Sequence, residues 1–512
     1  MQSTRTSTRT FEPAPALTLI LALALVGLGP SCSKKGNETE RDATVESDGS
    51  VEHDGSQTGD GEADPGDGTL TPDGSIATCD PIQAPLPDWY AAPNGSPGGL
   101  GTADDPMDLA SLMSNEGPVQ PGERVSLAEG VYVGQFLCNV SGAEGSPIIF
   151  AAAPGARATL DSNTPGDNDT LTIQGNWVEI HDLEITSSAT DRMEMVDGVT
   201  FYGQNSKLVN CIIHNTAMGV GFWSNAVDSE LYGNIIYNNG YEGTSRGHGH
   251  AIYTQNNTGT KRIVQNVMFF GFGFGIHAYT EGGHIRGFDI LENVWFRVGA
   301  SRPGSSTGGT SDGCLVGGLQ PVARTHLSGN HSFGPTVEAR SIQLGWGGSV
   351  QNEDVTLTDN YIVGRFAANG SWESGTITGN TFHSDLSGVD PADYPDNTWS
   401  DTLPTGYKAV IQRNAYDPGR AQLILYNWDE EESLPVNLSG LVPIGSTYTI
   451  HSIFDLWGEP VLNGAYQGGE IELPMGSVPP PQPNGDPTAI MGADDPGRAF
   501  GVFVLRSACA LQ

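Results

Sequence analysis

Positive charge is scarce in this 512-residue chain: 23 Lys and Arg stand against 60 Asp and Glu, for a formal net charge of −37 at pH 7. A nucleic-acid ligand held through its phosphates needs a basic footprint, and this balance argues against one. A polyanionic substrate stays open, but it needs a local basic patch or a bridging cation. Lysine is the thinnest resource, since beyond residue 35 only Lys207, Lys261 and Lys408 remain. Charged residues make up only 16% of the chain, and long runs of helix formers are missing. Abundant Gly (69) and Pro (33) point instead to β structure and turns. The apolar run Ala16 to Leu28 is too short for a comfortable membrane span. The six cysteines match no zinc spacing. At roughly 150 residues per domain, the length suggests about two to four domains, a prior that repeat proteins break.

Arg5 and Arg9 precede that apolar run, and Gly29-Pro30-Ser31-Cys32 follows it, which reads as an export signal over residues 1–32. The small residues before Cys32 resemble the bacterial lipobox, with Gly29 where that pattern usually has Leu. The resemblance implies cleavage before Cys32, lipidation of its thiol and anchoring to an envelope membrane, at the outer membrane or cell surface. A plain secretory signal with an incidental Cys, and hence a secreted protein, is the alternative. Residues 33–85 read as a disordered acidic tether, too polar to offset its ordering entropy. Within 33–80 lie 13 acidic and 3 basic residues, so this stretch supplies −10 of the charge and leaves −27 for the rest. After Cys32 come Cys79, Cys138, Cys211, Cys314 and Cys509, an odd number that leaves at least one free thiol. Cys79 and Cys509 flank the globular region and could bridge, while Cys211 and Cys314 read as buried apolar thiols.

A short pattern, apolar-x-x-Asn-x-apolar, recurs as "LYGNII" (Asn234), "IVQNVM" (Asn266), "ILENVW" (Asn293), "LSGNHS" (Asn330), "LTDNYI" (Asn360) and "ITGNTF" (Asn380). "LVNCII" and "IHDLEI" fit with Cys211 and Leu183 in the Asn place. From Cys211 the steps are 23, 32, 27, 37, 30 and 20 residues, as expected of a coil of fixed circumference with loop insertions. Alternation within each unit sends one side chain in and the next out. An Asn at a fixed place can turn the chain and bond the equivalent Asn one coil away. The repeat predicts a parallel β-solenoid.

On these repeats the chain resembles the right-handed parallel β-helix proteins of the pectate-lyase-like superfamily, over residues 86–384. The resemblance implies an all-β architecture and a carbohydrate-active role, in a fold that hosts lyases, hydrolases, epimerases and adhesins. Met107, Leu109, Leu112 and Met113 give one apolar side to a short helix that caps the open end of the stack. Residues 385–404 read as a Pro/Asp-rich linker. Strand-like runs then predict an antiparallel β-sandwich domain over 405–512.

A second strand in each coil, in "GVTFYGQ", "GVGFWSN", "AIYTQN", "GIHAYTE" and "SIQLGWG", aligns the outward positions. With Val199, Val220, Ile252, Ile276 and Ile342 inward, Thr200, Gly221, Tyr253, His277 and Gln343 face out. Two residues on, the outward set is Tyr202, Trp223, Gln255, Tyr279 and Gly345. Tyr253 and His277 become neighbours about 4.8 Å apart along the stack. His248, His250 and Arg246 lie at the loop edge of the same surface. Six of the eleven histidines fall between 181 and 284, alongside Arg246, Lys261, Arg262 and Arg286. Any single outward His or Tyr is ordinarily a solvated or stacking side chain. Convergent titratable and aromatic groups on one face form a site signature.

These groups suit β-elimination in a uronic-acid polymer, which needs a base for the C5 proton, a neutraliser for the carboxylate and an acid for the leaving oxygen. His277 or His250 is the expected base and Tyr253 or Tyr279 the proton donor, with His248 beside them. Arg246 or a bound Ca²⁺ is the expected neutraliser. A lysine base has to be Lys207 or Lys261. Trp223, Tyr202, Gln255, Lys261 and Arg286 are the expected substrate-binding residues, the aromatic rings as sugar platforms. Glycoside hydrolysis needs two facing carboxylates instead. Glu242, Glu281, Asp289 and Asp312 are candidates without an obvious pairing motif. The Asp-Pro-His motif of the alginate epimerases and a clear pectate-lyase calcium-aspartate pattern are both absent. The leading expectation is a monomeric, envelope-anchored lyase of an acidic polysaccharide. A hydrolase of the same fold, and a non-catalytic glycan-binding surface protein, are the alternatives.

Overall fold

The structure is a computed structural model that describes residues 82–511 apart from 164–168, 243–246, 301–310 and 486–494. The expected export signal, Cys32, most of the tether, Cys79 and Arg246 lie outside the described residues.

Three long parallel sheets of 11, 11 and 10 strands build a right-handed β-helix, and an antiparallel sheet domain follows it. In each coil the chain passes through sheet one, sheet two and sheet three in turn; Glu230–Tyr232, Ile235–Tyr237 and Ile252–Thr254 are one such set. Strands are mostly three or four residues long, so one or two side chains per strand point inward. Val199, Val220, Ile252, Ile276 and Ile342 are fully buried in one inward column of sheet three. The inward and outward sets therefore fall as the alternation predicts. A coil that the sequence alignment skips, Cys314–Val316, places Leu315 between His277 and Gln343.

The asparagines form a continuous ladder between sheets one and two. The backbone N–H and the Nδ2 of Asn234 both donate to Oδ1 of Asn266, at 3.1 and 2.9 Å. The same pair of bonds links Asn266 to Asn293, Asn293 to Asn330, Asn330 to Asn360 and Asn360 to Asn380. Each Nδ2 also donates backwards, as from Asn234 to the Leu208 carbonyl at 2.9 Å. A buried amide is tolerated because its donors and its acceptor are all engaged. The turn itself falls one residue earlier than expected. Asn210, Gly233, Gln265, Glu292, Gly329, Asp359 and Gly379 carry positive φ just before the ladder position. At Gly233 a Cβ would sit 2.4 Å from Asn210 Oδ1, so glycine at this turn leaves room for that side chain.

The ladder continues to Asn397, with Nδ2 of Asn380 donating to its Oδ1 at 2.8 Å. Leu386–Ser387 and Thr398–Ser400 join sheets three and two. The stretch expected to be a linker thus still belongs to the solenoid. At the other end, the helix Leu109–Met113 buries Leu109, Leu112 and Met113, with the Asp108 side chain accepting from the Ser111 N–H as an N-cap.

The C-terminal region forms a five-stranded and a two-stranded antiparallel sheet. Leu423, Leu425, Ile450, Phe503 and Leu505 pack between these sheets, with Leu434, Val436 and Leu473. The opposite face, with Ile424, Tyr426, Phe500, Val502 and Val504, packs onto sheet two at Ile235, Val267, Phe269, Val294 and Phe296. Alternation along each central strand thus serves two cores, and the domain is fused to the solenoid by apolar burial. Cys138, Cys211 and Cys314 are buried free thiols, and Cys509 is disulfide-bonded.

Candidate active site

Outward residues of sheet three form columns spaced one coil apart. Tyr253 pairs with His277 in register, flanked by Gly221 and Leu315. Trp223, Gln255 and Tyr279 occupy the next outward column. His250 and Phe274 occupy the position two residues before each inward Ile. Loops wall these columns into a cleft of about 860 Å³ lined by Trp223, His248, His250, Tyr253, Gln255, His277 and Tyr279. That volume is in the usual range of small-ligand sites, roughly 300–1,000 Å³.

The rings are close-packed. His277 stacks on Phe274 at 4.4 Å and on Tyr279 at 5.0 Å between ring centroids. His250 lies 4.3 Å from His277, with its Nε2 3.1 Å from His277 Nδ1. The backbone N–H of Phe274 donates to His250 Nδ1 at 3.0 Å. Gln255 Nε2 donates to the Tyr253 hydroxyl at 3.3 Å, and Trp223 meets Tyr253 edge-on at 5.5 Å. His248 sits in a two-stranded ribbon and stacks on Tyr241 at 5.2 Å, making one wall.

Several lining residues are not among those the sequence singles out. Met193, Met195 and Asp197 come from one loop, Met218 from the coil between, and Trp346 from the far side. Asp197 stands two residues before inward Val199, as His250 stands before Ile252, so the coil register contains a signal for it. Burial and the neighbouring Asp169 raise its carboxyl to about 7, which lets it exchange a proton near neutral pH. The loop is tied down by Arg192. Its Nε donates to the Gly240 carbonyl at 2.7 Å, its Nη1 to the Asn484 carbonyl at 2.7 Å, and its Nη2 to the Asn238 carbonyl. Its guanidinium also lies 4.6 Å from the Phe272 ring centre. The C-terminal domain, through Asn484, therefore braces the wall of the cleft.

Other expected residues lie elsewhere. Tyr202 faces outward and is exposed, one coil beyond Trp223 and outside the cleft lining. Lys261 is not on the surface. It shares the inward face of its strand with Ile263, lies 4.1 Å from the Phe222 ring centre, and donates through Nζ to the Phe222 carbonyl at 2.8 Å and to the Trp223 carbonyl. Burial lowers its pKa well below the usual lysine range. It holds the strand end that carries Trp223 and cannot meet a substrate. Lys207 pairs with Glu179 at 2.7 Å on sheet one, so neither lysine is a base for this cleft. Arg286 pairs with Glu353 at 2.8 Å, also on sheet one. Of the hydrolase candidates, Glu281 lines the cleft, Asp289 faces Arg262 at 3.5 Å, and Asp312 is buried against Arg340 at 3.1 Å. The Glu242 side chain lies outside the described residues.

Calcium needs six to eight oxygen donors. Among the described residues no three His, Cys, Asp or Glu side chains converge to hold a metal ion. Among the described residues, Asp197 and Glu281 are the carboxylates that line the cleft, and they do not form part of a metal-holding group of three, so no step is derived through a Ca²⁺.

Residues 89–318 match the Pel9A-like, right-handed β-helix region. Pectate lyase L of Dickeya chrysanthemi is 26% identical over 302 residues, 53% of this chain and 64% of that protein. Pectate lyase L of Thermoclostridium stercorarium is 29% identical over 126 residues, 24% of this chain and 9% of that protein. The chain spans less than two thirds of the length of these relatives. Among solved structures, pectate lyase Pel9A is similar at 20% identity and a TM-score of 0.44, covering 61% of this chain and 79% of that one. An alginate lyase from Paenibacillus sp. str. FPU-7 is similar at 18% identity and a TM-score of 0.35, covering 55% and 94%. In sequence, the β-helix is polysaccharide-lyase-like.

Proposed function

We propose that the protein is an exported polysaccharide lyase that cleaves a uronic-acid polymer by β-elimination in the sheet-three cleft. The observation that carries this reading is the convergence of His250, Tyr253, His277 and Asp197 in one aromatic-walled groove. A polymer can lie along the stacked coils with its rings against Trp223, Tyr279 and Trp346, whose faces suit the C–H faces of sugar rings. In the reaction a base takes the C5 proton, the C5 electron pair forms the C4–C5 double bond, the C4–O4 bond breaks, and the leaving oxygen gains a proton. Tyr253, Asp197 and His277 are the proton-handling groups within the groove. The likeness of the β-helix to pectate lyases supports an acidic polysaccharide as the substrate class.

The test incubates the full chain with polygalacturonate, methyl-esterified pectin, alginate and rhamnogalacturonan, and follows absorbance near about 235 nm, where the elimination product absorbs. Unsaturated product that disappears with Tyr253→Phe supports the reading. New reducing ends without unsaturation assign the cleft to a hydrolase, and tight binding without any product assigns it to glycan recognition. Anchoring at Cys32 is a separate part of the proposal. Radiolabelled palmitate incorporation that is lost in Cys32→Ser supports it, and equal incorporation in both overturns it.

A further inference from the structure

We propose that the uncovered first coils of sheet two hold a second binding site, one that takes an uncharged saccharide unit through its hydroxyls. The assignment does not depend on the chemistry of the sheet-three cleft.

The C-terminal sheet packs onto sheet two from Ile235 and Tyr237 onward. Before those coils two outward columns continue in register: Val131, Thr159 and Glu184 in one, and Val133, Asp161, Thr186 and His214 in the other. All of these but Val133 line a cavity of about 440 Å³, together with Glu129, Arg157, Ser188 and Asn484. That volume is within the usual range of small-ligand sites, roughly 300–1,000 Å³. A recess of about 160 Å³ adjoins it across Arg157, Glu184 and His214 and reaches Trp457 of the C-terminal domain.

The floor is held by bonds that leave particular groups open. Arg157 grips Glu184 as a fork, Nε donating to Oε2 at 2.7 Å and Nη2 to Oε1 at 2.6 Å. The Thr159 hydroxyl and His214 Nε2 complete that carboxylate at 2.5 and 3.1 Å. Glu184 is thus engaged as an acceptor, while Nη1 of the half-exposed Arg157 has no hydrogen-bond partner among the described residues. Asp161 accepts from the Asn163 and Ser188 N–H groups at 2.9 Å each, both through Oδ1. That pins a carboxylate only 8% exposed and leaves its Oδ2 as an acceptor. Glu129 is exposed on the same cavity. The open groups are therefore one guanidinium donor and two carboxylate acceptors. An anionic ligand would be repelled by Asp161 and Glu129, because Glu184 already matches the charge of Arg157, and a cationic one would meet the guanidinium. A hydroxyl both donates and accepts, so neighbouring hydroxyls of one sugar ring can use all three groups. Val131 and Val133, 50% and 59% exposed, supply the apolar strip beside them for the C–H face of the ring.

One loop walls both cavities, with Ser188 in this one and Met193, Met195 and Asp197 in the cleft, so variants on each sheet separate the two. The test is isothermal titration calorimetry of the full chain with cellohexaose, xylohexaose and galactohexaose, and with hexagalacturonate and chitosan hexaose as charged probes. Saturable binding of at least one neutral hexaose is the expected result. Asp161→Asn keeps the two N–H bonds through its amide oxygen but turns the open acceptor into a donor. It should weaken that binding about 10–100-fold with the melting temperature nearly unchanged, as for a hydrogen bond to a charged group. Glu129→Gln, at an exposed position, should weaken it by a smaller factor. Trp223→Ala, in the cleft, should leave it within about twofold. Failure of all three neutral probes to bind overturns the proposal. Unchanged affinity in Asp161→Asn, or in Glu129→Gln should Asp161→Asn not fold, also overturns it. So does tighter binding of either charged hexaose than of the neutral ones in Trp223→Ala. Neutral binding that only Trp223→Ala removes places the sugar in the cleft and overturns the second site.

Discussion

Sheets two and three present the same kind of surface, outward columns of histidine and aromatic rings stacked one coil apart, and put it to opposite uses. On sheet two, His214 stacks on Tyr237 at 4.8 Å, Tyr237 on Phe269 at 5.0 Å, and Phe269 on Phe296 at 5.1 Å. The C-terminal sheet covers much of that column, and His214 is paired to Glu184 at 3.1 Å, which Arg157 and Thr159 also bind. On sheet three the column stays open, and His277 is paired to another histidine. Stacked aromatics on a solenoid are therefore neutral as to role. A covered column whose polar groups are saturated adds stability, and an uncovered one whose polar groups feed a cleft is available for chemistry.

Four substitutions separate the two faces. Tyr253→Phe should have the largest effect, lowering kcat roughly 10²–10⁴ with the melting temperature nearly unchanged, as measured by initial rates and thermal unfolding. Phe296→Ala, on the covered face, should do the reverse, costing about 3–5 kcal/mol in denaturant unfolding while kcat below the melting point is kept. A loss of kcat comparable to that of Tyr253→Phe would show that the faces are coupled.

The carboxylates divide in the same way. Burial alone would raise Glu184, but hydrogen bonds from His214 and Arg157 pull it down to about 2, against an ordinary value of 4.5. A depressed carboxyl contributes stability above its unfolded pKa, and that contribution, about 3 kcal/mol, should be lost as pH falls from about 4.5 toward 2. Glu184→Gln should flatten this acid limb in melts run across pH. Asp197 is shifted the other way, to about 7, so its contribution is present below the ordinary carboxylate range and is lost as pH rises through 7. Asp197→Asn should have a smaller stability effect than Phe296→Ala or Glu184→Gln, of order 1 kcal/mol stabilising at pH 8 and none at pH 3, read by the same melts. Stabilisation at both pH values would show that burial of its charge is not the cause.

Much of the β-helix and part of the cleft are legible in the amino-acid sequence. The asparagine period locates the coils, and alternation from Ile252 and Ile276 puts Tyr253 beside His277. Lys261 is readable by the same rule, because it lies two residues before inward Ile263. Its charge argues for the surface, and only the carbonyls of Phe222 and Trp223 make an interior lysine tolerable. Asp197 escapes a reading of the sequence because its strand carries no histidine to draw attention to the matching position. The coil Cys314–Val316 escapes because its apolar strand carries no aromatic residue to mark the outward column. The Arg192 clamp has no signal at all, since its partner Asn484 is 292 residues away.

The sequence by itself determined the solenoid, its inward columns and the ladder that holds its corners. Those features are periodic and local, and each coil repeats a solution that strand alternation and a buried amide dictate. Only the tertiary structure decided which outward column became a cleft. That outcome depends on where an antiparallel sheet from the end of the chain buries its apolar face. It also depends on which loop Arg192 ties down and which lone pair of His250 the Phe274 amide occupies, and these contacts join residues that no local period relates.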